Sequence, residues 1–149
     1  MDVYLQYAAQ PNISETGAPT DVIVGVEQPG MGLLETATFE CVALGRPAPD
    51  IDWFYTIVNQ DGTVGTKKRL SSSDKYNIVA TSSDEDETRR FQRRSILTMS
   101  VTENDGGIVG CQAGASSKNA YLTVLSKLHC KFEACVYVYM YMYMYMYYI

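Results

Sequence analysis

Between Thr20 and Leu125 the chain is a succession of short segments in which every second residue is apolar, and this alternation is the strongest constraint on its fold. Successive residues of a β-strand point to opposite faces, so each segment predicts a strand with one buried face. The predicted buried positions are Ala37, Phe39, Cys41 and Ala43; Ile51, Trp53 and Tyr55; Leu97, Met99 and Val101; Val109, Cys111 and Ala113; and Leu122 and Val124. No segment keeps the apolar spacing of a helix over three turns, so we predict an all-β domain.

Clusters of turn-forming residues separate these segments. Proline, glycine, asparagine, aspartate and serine are concentrated at residues 28–30, 45–50, 59–62, 71–74, 82–87, 104–107 and 114–117. Such residues interrupt strands because they favour turn conformations or cannot donate to a ladder. Many short strands separated in this way are typical of an antiparallel β-sandwich.

Two cysteines occupy inward positions of two predicted strands, and a single tryptophan lies close to the first. Cys41 and Cys111 are seventy positions apart, and Trp53 follows Cys41 by twelve residues. The expected geometry is a buried disulfide between the two sheets that packs against the tryptophan. The alternative is a pair of buried thiols, because a reducing compartment would leave the cysteines unpaired.

The run from Cys41 to Trp53 reads CVALGRPAPDIDW and resembles strands B and C of intermediate-set domains of the immunoglobulin superfamily. The family signature there is C-x-A-x-G-x-P-x-P-x-I-x-W, which this run matches closely. Asp105, Gly107 and Cys111 match three of the four positions of the strand F signature D-x-G-x-Y-x-C. The segment 121–124 resembles strand G. The resemblance implies an immunoglobulin-like Greek-key sandwich over residues 19–126.

Two departures from the family pattern carry expectations of their own. Val109 stands where the family has a tyrosine whose hydroxyl ties the connection between strands E and F to nearby backbone. We therefore expect a more mobile turn and a domain less stable by about 1 kcal/mol. The cysteine separation is long for an intermediate-set domain, so we expect a strand C′ or a long excursion between Tyr55 and Arg94.

Residues 1–18 are predicted to lie outside this domain. The segment 2–8 resembles strand G of a preceding immunoglobulin domain, and Ala9 to Pro11 resembles a connector; a disordered lead is the alternative. No signal-peptide pattern opens the chain, so we expect it to begin inside a longer protein. Asn12-Ile13-Ser14 is the one glycosylation sequon, which makes Asn12 a candidate glycan site in a secreted parent.

Residues 127–149 form a low-complexity tail that ends in VYVYMYMYMYMYYI. A repeated TATATG hexamer would encode Tyr-Met repeats, so we interpret this tail as the translation of repetitive DNA. The rival interpretations are a membrane span, for which fourteen residues are too few, and an aggregation-prone β-strand.

The sequence contains no coherent set of catalytic, cofactor-binding or metal-ligating residues. The one histidine, His129, lies in the tail beside Cys130 and Cys135, and this spacing fits no structural zinc pattern. No nucleophile turn and no glycine-rich phosphate loop follow a predicted strand. We therefore predict a protein that is not an enzyme and that needs no cofactor.

Charged residues cluster once, where four acids at 84–87 precede a group of arginines. The arginines are Arg89, Arg90, Arg93 and Arg94, at the connection between strands D and E and the start of strand E. One hypothesis is that they contact sulfated glycans or an acidic partner. The alternative is a solvated hairpin end whose charges partly pair. The net charge of −5 argues against nucleic-acid binding.

The resemblance implies a binding function. We expect a fragment of an extracellular or cell-surface adhesion glycoprotein, with another protein as its homophilic or heterophilic partner and with membrane attachment only through other parts of the parent chain. Candidate contact surfaces are the face of strands C, F and G and the long excursion after strand C. The alternatives are a structural spacer domain of an intracellular muscle-type filament protein and a secreted immune-recognition protein.

Overall fold

The computed structural model describes residues 8–26, 35–59, 61–85, 90–102 and 104–126. None of the helices formed by these residues is long and apolar enough to span a bilayer. The tail, Arg89 and the segment compared with a preceding strand G (apart from Ala8) lie outside the described residues, together with His129, Cys130 and Cys135.

The described residues form a two-layer β-sandwich. Its strands are β1 (Ala9–Asn12), β2 (Val22–Val26), β3 (Glu35–Arg46), β4 (Asp52–Ile57), β5 (Lys68–Arg69), β6 (Tyr76–Glu85), β7 (Phe91–Val101), β8 (Gly107–Ala113) and β9 (Ser116–Ser126). One sheet has the order β1-β3-β7-β6 and the other the order β2-β9-β8-β4-β5. All pairings are antiparallel except that of β2 with β9. The predicted all-β sandwich is therefore confirmed.

The core lies between the two sheets and is built from the alternating residues. Buried hydrophobic residues at this interface include Ala37, Phe39, Cys41, Ala43, Trp53, Tyr55, Leu97, Met99, Val101, Val109, Cys111, Ala113, Ala120 and Leu122. Ile51 and Val124 are partly buried against them. The register of β3 with β7 runs over eleven residue pairs from Glu35↔Val101 to Gly45↔Phe91, so a slip by one residue would turn the apolar face outward.

A disulfide and a tryptophan occupy the centre of this core. Cys41 of β3 and Cys111 of β8 are bonded with an S–S distance of 2.08 Å, and both are almost fully buried. Trp53 is the cross-strand neighbour of Cys111 in the β4–β8 pair. Its indole Nε1 donates a 2.8 Å hydrogen bond to Ser95 Oγ on β7. The bond satisfies two buried polar groups that would otherwise destabilise the core.

The sandwich begins about ten residues earlier than residue 19, where the sequence predicts its start. Ala9 to Pro11, interpreted as a connector, belong to β1, which pairs with β3. Ile13 is 2% exposed and contributes to the core, and its backbone N–H donates to Ser116 Oγ. The prediction failed because a four-residue edge strand that contains a proline shows no readable alternation.

The turn between β7 and β8 is anchored although Val109 replaces the expected tyrosine. Tyr55 of β4, the cross-strand neighbour of Val109, donates a 2.7 Å hydrogen bond from its hydroxyl to the backbone carbonyl of Asp105. The Asp105 carboxylate accepts bonds from the backbone N–H of Thr102 and from Lys75 Nζ, each at 2.7 Å. The expectation that this corner lacks its tyrosine hydrogen bond was therefore wrong, because a neighbouring strand supplies the hydroxyl.

Tyr55→Phe should lower the free energy of unfolding by about 1 kcal/mol, because it leaves a buried carbonyl without its donor. Burial raises the pKa of Tyr55 well above its ordinary value, so the hydroxyl remains a donor throughout the neutral range. Denaturant unfolding measures the difference. Tyr121→Phe is the control, since Tyr121 is 59% exposed and should tolerate the loss of its hydroxyl. Equal losses in the two variants would contradict the proposed anchor.

Candidate functional site

The outer face of the five-stranded sheet is the candidate functional site. In each strand of this sheet every second residue points to solvent, because the residues between them point into the core. The outward residues are Ile23 and Gly25 of β2; Asn119, Tyr121 and Thr123 of β9; Ile108, Gly110 and Gln112 of β8; Asp52, Phe54 and Thr56 of β4; and Arg69 of β5. We call this surface the outer face.

An apolar stripe crosses the outer face diagonally. Ile23 is 61% exposed and Tyr121 is 59% exposed, and the two lie on the neighbouring strands β2 and β9. Tyr121 is directly opposite Ile108 of β8, which is partly exposed. Phe54 of β4 is diagonal to Ile108 and continues the stripe. Scattered apolar residues are ordinary on a surface, but neighbouring ones on adjacent strands indicate a contact surface.

Charged groups flank the stripe on the side of β5. Lys67 Nζ lies 4.4 Å from the centroid of the Phe54 ring, within the range of a cation–π contact. Arg69 Nη2 donates to Asp52 Oδ1 at 2.6 Å. Gly110 stands opposite Phe54, and a Cβ there would lie 2.5 Å from Asn119 Oδ1. The arrangement of an apolar centre with a charged rim is typical of protein-binding surfaces.

Tyr121 also borders an open depression at one end of the sheet. Its lining consists of Ile57, Val58, Asn59, Asn104, Gly106, Gly107, Tyr121, Leu122, Thr123 and Val124. The depression lies between the loop after β4 and the turn before β8, and its polar side chains are the amides of Asn59 and Asn104 and the hydroxyls of Tyr121 and Thr123. Its chemistry suits a docked peptide or protein side chain better than a reaction.

Two carboxylates with lowered pKa values lie in turns and bond to nearby residues. Hydrogen bonds from the side chain and backbone of Thr63 lower the pKa of Asp61. The ammonium of Lys118 lowers the pKa of Glu15. Within the described ranges, no group of three or more His, Cys, Asp and Glu side chains could hold a metal ion.

The arginines of the predicted cluster that the structure describes do not all lie on one face. Arg93 and Arg94 are adjacent in β7, so their side chains point to opposite faces of the sheet. Arg94 makes two hydrogen bonds to Glu40, at 2.7 and 2.9 Å, and Glu40 raises the pKa of Arg94. Arg93 is half-buried, with Nη2 3.8 Å from Asp50. Arg90 lies just before β7 and also has a partner.

The glycosylation candidate lies on the surface but not in a connector. Asn12 is the last residue of β1 and is exposed. Ser14 of the same sequon caps the short 3₁₀ turn Glu15–Gly17, where its Oγ accepts a hydrogen bond from Gly17 N–H. A glycan at Asn12 would therefore leave from the edge of the four-stranded sheet.

No protein-family model and no curated protein sequence matches the chain. Solved structures that the chain resembles include the following three. The titin domains z1z2 in complex with telethonin are 26% identical over 81% of this chain and 49% of that chain, with a TM-score of 0.50. Titin M4 is 15% identical over 80% of this chain and 99% of that one, with a TM-score of 0.50. Tandem Ig repeats of Dlar are 25% identical over 78% of this chain and 47% of that chain, with a TM-score of 0.46.

The likeness to the titin structures agrees with the two-sheet architecture of the described residues. The described part of the chain is an immunoglobulin-like β-sandwich domain.

Proposed function

We propose that this chain is an intermediate-set immunoglobulin domain of an extracellular, multi-domain adhesion or recognition protein, and that it binds another protein through the outer face. The observation that carries the proposal is the exposed stripe formed by Ile23, Tyr121 and Ile108. The proposal includes no catalytic step. The intermediate-set assignment rests on the CVALGRPAPDIDW run, which spans the end of β3 and the start of β4.

The stripe favours a protein partner because it combines apolar area with little conformational freedom. Tyr121 has only two side-chain torsions to immobilise and offers a ring and a hydroxyl, which makes tyrosine frequent at interface centres. Its backbone N–H donates to Asp21 Oδ1 at 2.8 Å, and this bond holds β9 to the residue just before β2. The surface is therefore held rigid before a partner arrives, which reduces the cost of binding.

The disulfide supports an extracellular location. Disulfides persist in oxidising compartments and are rare where glutathione keeps thiols reduced. The bond closes a loop of 70 residues. In the chain-entropy account, such closure stabilises the folded state by about 4 kcal/mol. An exposed sequon at Asn12 would be available for glycosylation in the same compartment.

The second candidate is a structural spacer domain of a filament protein. The 26% identity with the titin domains z1z2, at a TM-score of 0.50, favours it. In that function Cys41 and Cys111 would be buried thiols that fill the core. A secreted immune-recognition protein shares the disulfide with the first proposal and differs from it in the parent chain.

The redox state of the two core cysteines separates the first two candidates. We expect Cys41 and Cys111 in protein isolated from its natural source to resist alkylation after denaturation, and to react only after reduction. Peptide mass spectrometry measures the modification at each cysteine. Complete alkylation of both cysteines without reductant would overturn the extracellular proposal and favour the spacer.

Replacement of the stripe by charge should abolish partner binding without unfolding the domain. We expect Tyr121→Glu to weaken binding at least tenfold, because it would desolvate a carboxylate against an apolar partner. The matched control is Thr38→Glu, an exposed change on the opposite sheet. The assay displays the chain on tetrameric streptavidin and tests it against purified extracellular immunoglobulin ectodomains and against itself. Binding to none of them, or equal losses in both variants, would contradict the proposal.

A further inference from the structure

The free edge of β6 differs from the other three edges of the sandwich. The edge strand β1 has four residues and contains Pro11, β2 has five residues, and β5 has two. Strand β6 runs from Tyr76 to Glu85 over ten residues. Natural sheets protect their edges with short strands, prolines or charges, because an open edge is a template for another strand. The first eight residues of β6, YNIVATSS, contain neither a charge nor a proline.

Half of the backbone groups of β6 point away from its neighbour β7. The carbonyl of Lys75 accepts from Ser100 N–H at 3.0 Å, so the odd-numbered residues of β6 direct their backbone N–H and C=O groups to β7. Even-numbered residues direct theirs to the edge. At the edge, the C=O of Tyr76 accepts from Ser73 N–H, and the N–H of Tyr76 donates to Ser73 Oγ. The N–H of Ile78 donates to Ser72 Oγ at 3.4 Å. The outward groups of the next two even-numbered residues, Ala80 and Ser82, have no hydrogen-bond partner among the described residues.

Both faces of this part of β6 are also open. Val79 is 50% exposed on the outer side of its sheet. Ala80 and Ser82 point toward the opposite sheet but are nevertheless exposed. The edge strand β5 of the other sheet has only two residues. The open part of the edge therefore lies beside Ala80 and Ser82, whereas Ser72 and Ser73 occupy the edge beside Ile78 and Tyr76.

We propose that a second copy of this chain pairs with the β6 edge, antiparallel and about a two-fold axis at Thr81. In this register Ala80 faces Ser82 of the second copy, and the reverse pair is formed by symmetry. Each pair exchanges two backbone hydrogen bonds, so the four open N–H and C=O groups of each copy are satisfied. The bond from Ile78 to Ser72 remains intact. The two four-stranded sheets then join into one sheet of eight strands.

The edge suits a second copy better than an unrelated strand for two reasons. The open groups of Ala80 and Ser82 complement one another under two-fold symmetry without a shift in register. The cross-strand pairs are small or β-branched and uncharged: Thr81 meets Thr81, and Val79 meets Ser83. Two-fold pairing also leaves no β6 edge open in either copy, so the assembly stops at a dimer. This surface is separate from the outer face, so either proposal can fail alone.

Sedimentation analysis of the full chain over a hundredfold range of concentration tests the dimer. Ala80→Pro removes the outward N–H and is compatible with an edge strand. We expect it to weaken association at least tenfold, whereas Ala80→Ser, which keeps the N–H, leaves it unchanged. Circular dichroism checks that each variant is folded. Should the proline variant be unfolded, Thr81→Glu, which places two like charges directly opposite each other on the two-fold axis, is expected to weaken association to the same extent.

Amide hydrogen exchange of the unmodified chain locates the contact. The amides of Ala80 and Ser82 should become protected as concentration rises, whereas the amide of Tyr121 in the other sheet, which already donates to Asp21 Oδ1, should not change. A monomer at every concentration would overturn the proposal. Association would also overturn the proposal if the Ala80→Pro and Thr81→Glu variants retain it and if Ala80 and Ser82 gain no protection. Such a result would place the contact at the outer face or in the tail.

Discussion

The bond between Cys41 and Cys111 is the interaction on which the rest of the sandwich depends. It joins β3 of one sheet to β8 of the other at the centre of the core. Trp53 is beside it on β4 and reaches across to Ser95 on β7, so these contacts connect two central strands of each sheet. The outer face, the turn before β8 and the β6 edge all have their positions because these four strands are fixed.

Alternation of apolar residues was enough to predict the central strands, because a residue's face follows from its parity once the core is known. The same arithmetic did not reveal β1 or the role of Tyr55. Position 109, considered alone, indicated a lost hydrogen bond, yet its cross-strand neighbour Tyr55 supplies the hydroxyl to Asp105. Cross-strand neighbours depend on register, which a single sequence does not display. Adjacency in a strand also separates Arg93 from Arg94, so their closeness in the sequence does not place them on one surface.

The candidate sites also differ in how far the sequence could indicate them. Ile23 and Tyr121 lie almost a hundred residues apart in the chain, and only the parallel pairing of β2 with β9 brings them together. The β6 edge stands out because β6 has ten residues and the other edge strands have at most five, and strand length is poorly determined by turn signals. The uncharged run YNIVATSS is nevertheless visible in the sequence, and it is the signal that could have identified the edge.

Denaturant unfolding of the oxidised chain and of its Cys41→Ala/Cys111→Ala variant tests most directly whether the disulfide holds the sandwich together. The account predicts that the variant loses about 4 kcal/mol of unfolding free energy, or fails to fold, because a loop of 70 residues is no longer closed. Equal unfolding free energies for the two proteins would contradict it.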